Sequence, residues 1–89
     1  MLFKEYEWDD INIEHISRHE VISQEAEEAC FNEPLIMRLD KNRYSVYGRS
    51  DSGRYLFIVA AYKGGGMARI ITARDMTKSE RVLYNRKRG

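Results

Sequence analysis

Over residues 68–84, Ala-Arg-Ile-Ile-Thr-Ala-Arg-Asp-Met-Thr-Lys-Ser-Glu-Arg-Val-Leu-Tyr, the chain changes periodicity at a defined point. A β-rich run carrying Arg69 and Arg74 gives way to a helix whose start signal is Thr77 followed three residues later by Glu80. In such a capping box each side chain accepts from the other residue's amide, so a strand must hand over to a helix at Thr77. Strict alternation puts Arg69 and Arg74 on opposite sheet faces unless a bulge intervenes near Ala73. With Lys78 and Arg81 in the first helical turns, the corner holds several cations. Guanidinium forks there suit the oxygens of an anionic partner.

Upstream of that corner the pattern is helices first, then strands. Residues 3–8 alternate weakly and predict a short strand. Asp9 or Asp10 then caps a helix whose inward face is expected to carry Ile11, Asn12, His15, Ile16 and His19. Ser23 is expected to cap a second helix to about Asn32, with Ile22, Ala26, Ala29 and Cys30 inward and Glu25, Glu27 and Glu28 outward. Pro34 ends it. Strands follow over residues 35–39, 43–50, 54–62 and 67–74, separated by Asp40-Lys41-Asn42, by Asp51-Ser52-Gly53 and by Gly64-Gly65-Gly66. The strand of residues 54–62 is apolar on both faces, so it belongs mid-sheet. The three glycines lie between strands and do not form a phosphate-binding loop, which precedes a helix. The expected architecture is α+β: two N-terminal helices on an antiparallel sheet of about four strands, plus a C-terminal helix.

Eighty-nine residues make one domain, 1–89, with a single core. One cysteine, Cys30, allows no internal disulfide and no cysteine zinc site; it is expected as a buried small hydrophobe in a reducing compartment. No metal and no cofactor is implied. Met-Leu-Phe runs straight into Lys4 and Glu5, without a leader core, and no apolar run is long enough for a membrane span, so a cytoplasmic protein is expected. Charge is unevenly placed. Residues 1–40 carry three Lys or Arg against eleven acids, net −8, and residues 41–89 carry twelve against three, net +9. A basic face that attracts a polyanion follows, unless the two halves neutralise each other where they pack.

Through most of its length the chain resembles the BrnT family, ribonuclease toxins of type II toxin-antitoxin pairs with a RelE-like fold. The resemblance runs through Trp8-Asp9, Arg18-His19 and Val21, the acidic helix around Glu25 to Ala29, Gly48-Arg49, Gly53-Arg54, and the segment from Arg69 to Arg74 with Met76, Glu80, Arg81 and Tyr84. Members commonly have a Lys after Trp-Asp and a Lys-His-Gly-Val stretch. Here Asn12 and Arg18-His19-Glu20-Val21 stand in those places, with one residue fewer between Trp8 and the histidine, as in a divergent branch. The resemblance implies RNA as substrate and a small DNA-binding antitoxin as partner; a homodimer is a further expectation.

Metal-independent RNA cleavage needs a base for the 2′-hydroxyl, cations for the phosphate and an acid for the leaving oxygen. His19 and His15 are the candidate base and acid, and Arg74 and Arg49 the transition-state cations. Arg69, Lys78, Arg81 and Tyr84 are the candidate RNA contacts, with Tyr47 and Tyr62 as further stacking faces. The competing reading is structural: hydrogen-bonded histidines on an inward helix face, Arg69 and Arg74 paired to Glu25 or Glu28, and tyrosines in the core. A non-catalytic nucleic-acid-binding or protein-interaction domain of the same fold is the alternative function.

Overall fold

The strand expected at the middle of the sheet is there. In the computed structural model, which describes residues 3–88, β1 (Glu5–Glu7) and α1 (Asp10–Ser17) precede α2 (Ser23–Phe31) and β2 (Leu35–Arg38). Then come β3 (Arg43–Arg49), β4 (Tyr55–Gly64), β5 (Met67–Asp75) and α3 (Lys78–Arg88). The leader reading at Met1 and Leu2, and the end of the basic tail at the Arg88 side chain and Gly89, lie outside the described residues. The sheet order is β1-β5-β4-β3-β2, so β4 is central and buries Leu56, Ile58 and Ala60 completely. Neighbours are antiparallel except at one edge, where the short β1 adds a fifth strand parallel to β5.

On one sheet face α1 packs against β5 and α2 against β3 and β4. The core between these layers is Ile16, Val21, Ala26, Ala29 and Cys30 against Val46, Leu56, Ile58, Ala60, Ala68, Ile70 and Ala73. Each large aliphatic side chain so buried contributes about 1.5–3 kcal/mol. Small residues set the spacing between α2 and β3. A Cβ at Gly48 would stand 2.0 Å from the Ala29 carbonyl oxygen, so only glycine admits the helix this close. Cys30 is the buried small residue expected, and burial pushes its thiol up to about 12.

The bulge on which the two strand arginines depend is present. Thr72 pairs with Val59 but Ile70 pairs with Ala60, which leaves Ile71 as the extra residue of β5. Buried positions therefore run Ala68, Ile70, Ala73, and Arg69 and Arg74 come to the same, outer face.

The inward face of α1 is narrower than its sequence suggests. Asn12 and Ile16 are buried, whereas His15 and His19 are exposed and Ile11 is 75% exposed. Hydrogen bonding decides the rotation. Asn12 Nδ2 donates to the Glu7 carbonyl (2.9 Å) and the Ile70 carbonyl (3.0 Å), and its Oδ1 accepts from the Asp9 amide (2.8 Å). With 100° per residue, His15 then falls about 80° and Ile11 about 120° from the middle of the Asn12–Ile16 line. His19 leaves the helix face altogether because α1 ends at Ser17. The Val21 amide reaches back to the Ile16 carbonyl and the Glu20 amide to that of Ser17, with Glu20 at φ 59°. This is a Schellman turn, and Val21 takes the core place that a continuing helix would have given His19. At α2 the cap is Ile22, not Ser23; Glu25 Oε1 accepts from the Ile22 amide at 3.2 Å.

Candidate functional site

The outer face of the sheet carries the cations. Tyr55 alternates with the buried Leu56, so its ring faces away from α1 and α2, and α3 rests on it through Tyr84 in an edge contact of 6.0 Å. The Arg49 guanidinium lies 4.4 Å and that of Arg81 4.2 Å from the centre of the same Tyr55 ring. Arg49 comes from the end of β3 and Arg81 from the first turn of α3. Arg49 also donates from Nε and Nη2 to the Gly53 carbonyl at 3.3 and 3.1 Å, and the turn at Gly53 (φ 93°) brings that oxygen round. Among the described residues neither guanidinium has a carboxylate within ion-pair distance.

These two arginines, with Gly53, Arg54, Tyr55 and Asp75, line a hollow of about 500 Å³. Its neighbours share its residues. Arg81 and Met76 continue into a hollow with Lys78 and Asn85, and Arg49 and Gly53 into one that reaches Asn32 and Tyr84. Arg49, Arg81 and Lys78 thus lie along one continuous depression. An aromatic ring holds guanidinium planes by its quadrupole, at about 0.5–1 kcal/mol each, without neutralising them. Such a surface suits an anion electrostatically.

Arg74 and Arg69 are neutralised. Arg74 stacks over Phe57 at 4.4 Å, and its fork is taken by both Glu80 oxygens at 2.8 and 3.0 Å. Glu80 is also the capping-box residue: it accepts from the Thr77 amide at 2.8 Å, and Thr77 Oγ1 accepts from the Glu80 amide at 3.2 Å. The hydrogen bond from Arg74 is the main reason that the Glu80 carboxyl is held below the usual range. Arg69 pairs with Asp9 (2.8 Å) and Glu7 (3.2 Å) at the far side of β5. The acids involved are Glu80, Asp9 and Glu7; Glu25 and Glu28, the partners considered from sequence, are not used by either arginine.

Arg54 is the side chain that sequence reasoning left out of the site. Its Nε and Nη2 donate to Asp75 at 2.7 and 3.2 Å, its Nη1 to the Glu20 carbonyl (2.6 Å) and Glu25 (3.1 Å), and its Nη2 also to the His19 carbonyl (3.2 Å). Asp75 is held below its usual carboxyl range chiefly by this hydrogen bonding. The Gly53-Arg54 pair was visible in the sequence, but its partners lie on three other elements. Tyr55 was missed as well, because nothing in the alternation of β4 marks one outward aromatic from another.

A model of the family described as the ribonuclease toxin BrnT of type II toxin-antitoxin systems matches residues 8–80. The chain belongs to the BrnT toxin family. A solved relative agrees in fold. The crystal structure of the Brucella abortus ribonuclease toxin, BrnT, superposes with a TM-score of 0.68 at 13% identity, covering 83% of this chain and 97% of that one. Among curated proteins none matches the chain. As a BrnT-family ribonuclease toxin the chain has an antitoxin as its counterpart. The matched segment holds His15, His19, Arg49, Arg69, Arg74 and Lys78, and it stops one residue short of Arg81.

Within this BrnT fold the sequence-predicted residues divide. Arg49, Arg81 and Lys78 are brought together. His19 is joined to their hollow through its carbonyl on Arg54. His15 is exposed on α1, its ring 6.3 Å from that of His19, so the inward placement of both histidines is corrected. Arg69 lies apart, at the β1 edge of the sheet. Tyr84 is 6% exposed, packed on Tyr55, so its ring is part of the α3 contact and offers no open stacking face. Tyr62 packs on Phe3 and Tyr44 at the core, its hydroxyl accepting from the Gly66 amide, and Tyr47 lies edge-on to Phe57. Among the described residues no helix is long and apolar enough to cross a membrane.

Proposed function

We propose that this chain, acting as a single domain in the cytoplasm, cleaves RNA without a metal at the hollow between Arg49 and Arg81. In this reading the scissile phosphate sits against the two guanidinium groups, and Lys78 holds the next phosphate along the depression. His19 takes the proton of the 2′-hydroxyl as its oxygen attacks phosphorus. The 5′-oxygen departs with a proton from the neighbouring His15 or from water, leaving a cyclic phosphate. The arginines stabilise the extra negative charge of the transition state, a role worth about 10²–10³-fold in rate for one well-placed donor. The small DNA-binding antitoxin silences the toxin by covering the same hollow, and the free edge of β2 is where a second copy would pair in a homodimer.

One observation carries the reading: two guanidinium groups without a carboxylate partner among the described residues lie on one aromatic ring in an open hollow. The direct test is cleavage of single-stranded RNA in excess EDTA by the purified protein. Arg49→Ala and Arg81→Ala are each expected to lower kcat/KM by at least about tenfold, while Arg69→Ala stays within about twofold of the parent because its charge is already neutralised. Cleavage abolished by EDTA, or insensitive to both hollow arginines, would overturn it. The engagement of Arg74 and Arg69 by acids favours one second reading, an RNA binder without chemistry; such a protein retards RNA on a gel and leaves it full length.

A further inference from the structure

We infer that Arg54 is a positioning residue for the reaction: its guanidinium holds the turn that carries His19 against the anion hollow. The inference rests on the proposed role of His19. The guanidinium has five N–H donors, and all five are engaged: one on Nε toward Asp75, two on Nη1 toward the Glu20 carbonyl and Glu25, and two on Nη2 toward the His19 carbonyl and Asp75. No donor remains for substrate, although Arg54 lines the hollow. Its function there is directed inward.

Two of those bonds grip successive backbone carbonyls, His19 and Glu20, at the point where the chain leaves α1. The second is the shorter, at 2.6 Å. That grip is geometrically possible because Glu20 is in the left-handed region (φ 59°), the backbone turn that ends α1. The opposite edge of the fork is bidentate on Asp75, the last residue of β5, three residues before Lys78 opens the helix that presents Lys78 and Arg81. One planar group therefore ties the histidine turn to the strand end from which the cations of α3 spring. A lysine, with three donors on one nitrogen, cannot span carbonyls on one side and a carboxylate on the other. Misplacing a reacting group by about 1 Å can cost about 10²-fold in rate, which sets the expected scale.

The test compares Arg54→Lys with the parent on a short single-stranded RNA oligonucleotide and, in parallel, follows the ring Cε1–H signals of His19 and His15 by NMR in the free protein. Trp8→Phe, which loses the 2.7 Å bond from Trp8 to Glu27 away from the hollow, serves as the destabilised control. Arg54→Lys is expected to lower kcat at least about tenfold with KM within about twofold, and to shift and broaden the His19 signal while His15 keeps its own. Trp8→Phe lowers Tm without either effect. A kcat that falls only in step with Tm in both variants, with an unmoved His19 signal, overturns the inference. Should Arg54→Lys fail to fold, Asp75→Ala is read the same way, since loss of the anchoring carboxylate frees the fork. Failure of the parent reading looks different: His19→Ala would cleave like the parent, while the NMR arm would still report whether Arg54 fixes the turn.

Discussion

Glu20 shows how a single residue can hold a conformation it does not favour. It occupies the left-handed position of the turn after α1, at φ 59°, where a side chain costs about 1–2 kcal/mol and glycine costs little. The family resemblance places a glycine there. Its carbonyl, not its side chain, makes the bond to Arg54, so substitution leaves that contact intact. Glu20→Gly is expected to raise stability by about 0.5–1 kcal/mol, the relief of strain less the greater entropy of an unfolded glycine. Urea unfolding with an unchanged m-value checks it; a loss of stability would show that the turn is not strained.

At the scale of one element, α3 is held by its beginning. Its first turn carries the Thr77–Glu80 box and the Arg74 fork on Glu80, and further along Tyr84 lies on Tyr55. Glu80 has a lowered folded-state pKa, so its contribution is present above its unfolded value of about 4.3 and is lost as pH falls through the folded one. Asp75, lowered by Arg54, acts with the same sign. Tm is therefore expected to fall as pH drops below about 5, and Glu80→Gln to flatten that fall while costing about 1–2 kcal/mol at pH 7. Hydrogen exchange should show the α3 amides opening first in this variant. An unchanged acid profile would mean that the clamp contributes nothing to folding.

Across the whole molecule, a net charge of +9 over residues 41–89 overstates what a polyanion can use. Arg43, Arg54, Lys63, Arg69 and Arg74 are all paired to acids, and Arg49, Arg81 and Lys78 form the contiguous set of the hollow, with Lys41, Arg86 and Lys87 outside it. Three phosphate contacts on single-stranded RNA give a slope of log K against log salt of about −2, whereas nine give about −6. A slope near −2, reduced to about −1.3 by Arg81→Ala, is the outcome expected from binding isotherms between low and moderate salt; a slope near −6 would mean that cations outside the hollow also take phosphates. Local signals in the sequence were enough for the α+β class, the central strand, the capping box at Thr77 and the need for a bulge if two strand arginines were to share a face, because alternation, helical spacing and cap chemistry act between residues a few positions apart. The rotation of α1 was not legible, since Asn12 finds its partners at Glu7 and, fifty-eight residues away, at Ile70. Nor was the sorting of the arginines into neutralised and open ones, or the gathering of Arg49, Tyr55 and Arg81. Those were decided only when strands and helices distant in the chain packed together, because an ion pair depends on separation in space and leaves no periodic trace along the chain.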